Sequence, residues 1–137
     1  MRLKTLESRV KYRISRSRDR VFLPADFADL GGRDQVGRVL RYLIRNGEVV
    51  KIGYGLYAKA SYSNLFNKTQ PITTLPELAK EALTKLGIKT APTYFEKMYN
   101  ERKSTQVPTG QVIGIQDRVS RKIRYGTSEI VYERVPQ

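Results

Sequence analysis

Between residues 33 and 46 the polar side chains Gln35, Arg38, Arg41, Tyr42 and Arg45 recur at helical spacing, while Val36, Leu40 and Leu43 fall on the opposite side. Arginine can bond guanine through O6 and N7, and glutamine can bond adenine through N6 and N7, each with two hydrogen bonds. Gln35, Arg38, Arg41 and Tyr42 are therefore candidate contacts to base edges. Arg33 stands where the helix begins and suits a phosphate, and Arg45 suits one at the other end. Any one of these charges alone would be ordinary solvated helix surface. Together they are a cationic face on the only side turned away from the core.

Two flanking segments extend the same chemistry. Tyr54 sits between Gly53 and Gly55 at the expected tip of a hairpin, with Lys51 and Lys59 on its arms. Tyr54 and Lys51 are candidate contacts to a sugar–phosphate backbone, whereas Tyr57 falls within a strand and is expected in the core. The Gly-Tyr-Gly turn lacks the Lys-Ser/Thr and the spacing of a phosphate-binding loop. Nearer the N-terminus, Arg13 and Arg16, on a helix expected over residues 1–16, and Arg18 just beyond it are further candidate backbone contacts. In that helix Leu3, Leu6, Val10 and Ile14 form an apolar stripe, with Lys4 and Arg9 among the cations turned outward.

Composition narrows the alternatives. The 137 residues hold 26 Lys+Arg against 13 Asp+Glu, a formal charge of +13, with no His, Cys or Trp. Without His or Cys, disulfide scaffolds, most zinc, haem and iron–sulfur sites, the Ser-His-Asp triad and the Cys-His pair are excluded. The close pair Asp26 and Asp29 could share a face and hold a metal, but reads better as helix-surface charge. The expectation is a non-enzyme with no catalytic residues, no metal and no cofactor. A charge of this size points to a polyanion, with nucleic acid first. No apolar run is long enough to span a membrane, and the N-terminus is too charged for a secretory leader. A cytoplasmic protein without a membrane partner is expected.

The expected fold class is α+β. After the first helix comes a short extended run over residues 20–23, then Pro24 at the start of a short helix over residues 25–30. Gly31 is expected as its left-handed terminator and Gly32 as the N-cap of the next helix, over residues 33–46. A hairpin over residues 48–59 completes a domain of residues 1–60, whose element order is that of a winged helix-turn-helix. A small basic α+β domain with no groove-reading role is the alternative. Polar residues 61–75 are expected as a connection. Residues 76–137 are expected as a small helical and antiparallel-strand unit, with helices over 76–86 and 93–100 and strands over 111–116, 119–125 and 128–135. Residues 1–60 carry 14 Lys+Arg against six acids, net +8, and residues 61–137 carry 12 against seven, net +5.

The segments Arg20-Val21-Phe22, Asp26-Phe27, Gly32-Arg33-Asp34-Gln35-Val36, Arg38-Val39-Leu40, Gly47-Glu48 and Gly53-Tyr54-Gly55-Leu56-Tyr57 resemble the winged-helix domain of AbiEi-type antitoxins. These belong to the type IV toxin–antitoxin systems of bacterial abortive infection. Tyr99-Asn100, Ser104-Thr105-Gln106-Val107-Pro108 and Arg121-Lys122-Ile123 are similar to the short members of that group. The resemblance covers nearly the whole chain, which is shorter than many relatives. It implies a transcriptional autorepressor whose winged helix binds inverted repeats of double-stranded DNA in its own promoter, as a homodimer in one form of that binding. It also implies that the C-terminal unit counters a nucleotidyltransferase toxin.

From the residues alone, Arg121, Lys122 and Arg124 alternate with Ile123 in an expected strand. They could extend the nucleic-acid surface, meet an acidic partner, or keep an edge strand soluble. Two other functions remain open at this level: a protein-interaction module that neutralises an acidic partner enzyme, and a structural RNA-binding protein.

Overall fold

The computed structural model describes residues 5–102 and 111–136. The expected positions of Leu3 and Lys4, and the segment Ser104–Pro108, lie outside the described residues. The chain is a mixed α+β protein of two compact units, Met1–Thr73 and Thr74–Gln137.

In the first unit, α1 spans Leu6–Arg16. Thr5 is its N-cap, in extended conformation, with its hydroxyl accepting from the Ser8 N–H at 3.0 Å. The helix expected from residue 1 therefore starts at Leu6, because a capping threonine ends the run on its N-terminal side. Val10 and Ile14 are buried, one turn apart. Strand β1, Val21–Phe22, follows.

The short helix expected over residues 25–30 is a single 3-10 turn, Pro24–Phe27. The bonds here run from Asp26 N to Leu23 O, Ala28 N to Ala25 O and Leu30 N to Phe27 O, all three residues apart. A segment this short cannot repay the cost of nucleating an α-helix, so it keeps the tighter turn. Gly31 does not adopt the left-handed conformation expected of it. Its lack of a side chain serves packing instead, since a Cβ there would come within 3.1 Å of both methyls of Leu6.

Helix α2 spans Arg33–Arg45, with Gly32 in extended conformation as N-cap and Asp34 in the first turn. Its end is fixed by a pair of bonds, Glu48 N to Leu43 O at 2.9 Å and Gly47 N to Ile44 O at 3.0 Å. That arrangement requires the left-handed φ of +75° that Gly47 adopts. Val36, Leu40 and Leu43 are almost wholly buried and join Val10, Ile14, Phe22, Phe27, Val49 and Tyr57 in one core, with Leu6, Leu30, Val39 and Ile44 at its margin. Removing each of the three α2 side chains from water contributes about 1.5–3 kcal/mol.

Strands β2 (Val49–Gly53) and β3 (Leu56–Ser63) pair antiparallel, and β1 lies along the other edge of β3. Beyond Lys59, β3 continues and pairs with β4, Lys68–Pro71, with Ser61 opposite Gln70 and Tyr62 opposite Thr69. Much of the polar stretch expected as a connection over residues 61–75 is thus a hairpin. Threonine and tyrosine favour strands even where neither face is apolar, and pairing satisfies the backbone. The boundary between the units falls after Thr73.

Besides the Lys11–Glu48 ion pair, two sets of hydrogen bonds tie α1 to this unit. Arg13 bonds Asp29 through both guanidinium nitrogens, at 2.5 and 2.8 Å, and also reaches the Asp26 carbonyl at 2.9 Å. Lys59 Nζ donates to the Ser17 carbonyl at the end of α1, at 2.5 Å.

The second unit contains α3 (Leu75–Lys85), β5 (Thr90–Ala91), α4 (Tyr94–Asn100), β6 (Val112–Ile115), β7 (Arg124–Tyr125), β8 (Ser128–Glu129) and β9 (Val131–Arg134). Leu78, Ala79, Ala82 and Leu83 bury one face of α3. Helix α4 opens with a capping box in which Thr93 and Glu96 exchange side-chain-to-backbone bonds. Two expectations need correction here. Strand β6 pairs antiparallel with β5, which sequence did not reveal, and parallel with β9. The strand expected over residues 119–125 is reduced to β7, because only Ile123 of the preceding residues is buried. The segment from residue 116 to 130 is long enough for the crossover that a parallel pair requires, whereas a tight hairpin is not. Gly126 makes the β7–β8 turn at φ +61°. Among the described residues, no helix is long and apolar enough to cross a membrane.

The Arg13 guanidinium holds the Asp29 carboxyl below its ordinary range. A carboxyl whose folded value is depressed contributes stability above its unfolded value, and loses it as pH falls through the folded one. Both side chains are partly exposed, so solvent screens the pair. Asp29→Asn should therefore cost little at neutral pH and should flatten the acid limb below about pH 4, as read from thermal melts across pH.

Candidate nucleic-acid interface

The core decides which way α2 faces. With Val36, Leu40 and Leu43 turned inward, helical geometry sends Arg33, Gly37 and Arg41 along one outer row, and Asp34, Arg38 and Arg45 along the next. The β2–β3 hairpin stands beside the first row. Between them lies a shallow open hollow of about 370 Å³. Helix α2 lines it with Arg33, Asp34, Gly37, Arg38 and Arg41, and the hairpin with Lys51, Tyr54, Gly55 and Tyr57; Pro24 completes the lining.

Tyr54 is 78% exposed at the hairpin tip, and the Lys51 ammonium stands 6.0 Å from its ring centroid. Tyr57, three residues on, is only 8% exposed and belongs to the core as well as to the hollow. Among the described residues, Arg33, Arg38 and Arg41 pair with no carboxylate. Four cations against the single acid Asp34 give the hollow a net positive charge, with donors set on two separate elements. Such a surface can hold a polyanion and present planar guanidinium forks to it.

The structure separates the candidate residues into groups. Arg33, Arg38, Arg41, Lys51 and Tyr54 come together in the hollow. Gln35 and Tyr42 lie on the far flank of α2, toward α1. Gln35 Oε1 comes within 3.4 Å of the Cβ position at Gly31, and Tyr42 is close enough to Lys11 to raise that ammonium's pKa slightly. The larger cause at Lys11 is its 2.7 Å pairing with Glu48. Arg45 is exposed at the end of α2, outside the hollow.

Arg13, expected as a backbone contact, bonds Asp29 and the Asp26 carbonyl and so holds α1 in place. The same bonds occupy Asp29, and Asp26 Oδ2 accepts from the Leu23 N–H at 2.8 Å. Among the described residues, no three His, Cys, Asp or Glu side chains gather as metal ligands would. Arg16 stacks on Tyr12, 5.5 Å from the ring centroid, and shares a second shallow hollow with Arg9 and Leu30; Arg18 is exposed just beyond α1.

In the second unit, Arg121, Lys122 and Arg124 are all exposed and Ile123 is buried. Only Arg124 lies in a strand, which corrects the alternation expected for the three. The Arg121 carbonyl accepts from the Tyr132 hydroxyl at 2.8 Å, and burial raises the pKa of that phenol.

Sequence reasoning passed over Gly37, which lines the hollow from the middle of α2. Its signal was present: a glycine inside the most strongly amphipathic helix costs about 1 kcal/mol relative to alanine.

The chain matches the model of DUF6088, a family of unknown function, over residues 8–136, and belongs to that family. No curated protein and no solved structure matches it.

Tyr54 and Tyr57 should separate surface from core. Tyr54→Ala is expected to change unfolding free energy by less than about 0.5 kcal/mol, and Tyr57→Ala to cost roughly 3 kcal/mol. Urea denaturation of the two variants measures both.

Proposed function

We propose that this member of the DUF6088 family is a sequence-specific double-stranded DNA-binding protein of winged helix-turn-helix type. In this reading α2 enters the major groove and the β2–β3 hairpin contacts the flanking backbone. The observation that carries it is the convergence of Arg33, Arg38, Arg41 and Lys51 with exposed Tyr54 on one open cationic surface. An α-helix fits the roughly 12 Å wide major groove of B-DNA, and such a helix with an adjoining wing is a recurrent way to read it.

The division of labour follows from the rows on α2. Arg38 is the principal base contact, from the centre of the outer face, and Arg41 assists it. Arg33, Lys51 and Tyr54 contact the backbone, with Arg16, Arg18 and Arg45 beyond the hollow as outlying phosphate contacts. Gln35 and Tyr42 are left at the α1 side, where they would meet bases only if the helix rolled in the groove.

The resemblance to AbiEi-type antitoxins supports a narrower form: a repressor of its own promoter that binds inverted repeats, encoded beside a nucleotidyltransferase toxin which the second unit counters. Arg121, Lys122 and Arg124, exposed in that unit, are candidate contacts to such a partner or to the same DNA. An RNA duplex is a poorer ligand for α2, since the A-form major groove is too deep and narrow for side chains to read.

The test is binding to the DNA upstream of its own gene across a salt series. With about five to seven phosphate contacts, the slope of log affinity against log salt should lie near −5 to −6. Arg38→Ala should cost about 1–3 kcal/mol on the preferred sequence and flatten base preference. Unchanged affinity and preference in that variant would remove α2 from the groove.

A further inference from the structure

Gly37 presents a contradiction within α2. It adopts ordinary helical backbone and makes no turn, so nothing in its conformation calls for glycine. Packing does not call for it either, because the only neighbour a Cβ would approach is the flexible end of Arg41, with Nη1 at 3.6 Å. Alanine would fit and would favour the helix. A helical glycine that neither conformation nor packing requires leaves the backbone open to close approach by something outside.

The surroundings identify that visitor's chemistry. Arg33 and Arg41 stand one helical turn to either side of Gly37 on the same row, each about 6 Å away along the axis. The Arg41 guanidinium already points over the glycine. Lys51 and Tyr54 line the hollow from the hairpin side. Asp34 belongs to the neighbouring row with Arg38, where a carboxylate can accept from an exocyclic base amine.

Resting on the DNA-binding reading above, we infer that a backbone phosphate of the bound duplex seats in the notch over Gly37. There Arg33 and Arg41 straddle it, and Lys51 faces it. The missing side chain sets how deeply α2 sits, and so fixes the register at which Arg38 meets the bases.

The test is Gly37→Ala in the full chain, with two readouts. One is thermal stability, where alanine should raise Tm by roughly 3–6 °C. The other is affinity for a labelled duplex of about 30 base pairs of random sequence across a salt series, where a displaced phosphate lowers affinity about tenfold and makes the salt slope shallower by about one. A variant more stable yet weaker on every sequence is the expected result. Wild-type binding with undiminished affinity and slope in Gly37→Ala would overturn the phosphate seat and leave the DNA-binding reading intact. A fall in Tm would overturn it as well, because Gly37 would then serve the fold. Failure of the wild-type chain to bind any duplex would overturn both.

Discussion

Burial of Val36, Leu40 and Leu43 along one side of α2 governs the first unit. Their positions leave the helix no freedom of rotation, since turning it would expose three apolar side chains at about 1.5–3 kcal/mol each. The cationic rows are therefore fixed in direction by the core and not by anything they touch. The hairpin is fixed by the same core through Val49 and Tyr57. That is how two consecutive elements, a helix and a hairpin, come to line one hollow.

The charges that result are a burden on the folded chain. Arg33, Arg38 and Arg41 repel one another without a carboxylate partner among the described residues, and the whole chain carries +13. Elsewhere in the unit, Arg13 is paired with Asp29 and Lys11 with Glu48. The contrast distinguishes structural cations from those held open. Arg13 ties α1 to the turn before α2, and thereby steadies the platform on which the open cations stand. Gly37 adds a second local cost at the same surface, so helix propensity and electrostatics both give way where a ligand would lie.

Much of this was legible in the sequence because it is local. The spacing of Val36, Leu40 and Leu43 declares both the helix and its outward face, and the glycines around Tyr54 declare a tip that exposes its ring. What was not legible depends on distant partners. Arg13 meets Asp29 across sixteen residues, and nothing in the neighbourhood of either foretells it. The polar strand pairing of residues 60–63 with 68–71 has no apolar alternation to betray it. The direction of β9 against β6 is set by the crossover between them, and periodicity carries no sign of strand direction. Gly31 misled because glycine after a short helix suggests a left-handed terminator, whereas here it makes room for Leu6.

The central claim is that the α2 row and the hairpin tip act together as one nucleic-acid surface. Titrating the ¹⁵N-labelled chain with a duplex from its own upstream region, and following backbone amide shifts, tests that most directly. Perturbation concentrated at residues 33–41 and 51–56 is the predicted result. A duplex that shifts the amides around Arg121–Arg124 while leaving those of α2 and the hairpin unmoved would contradict it.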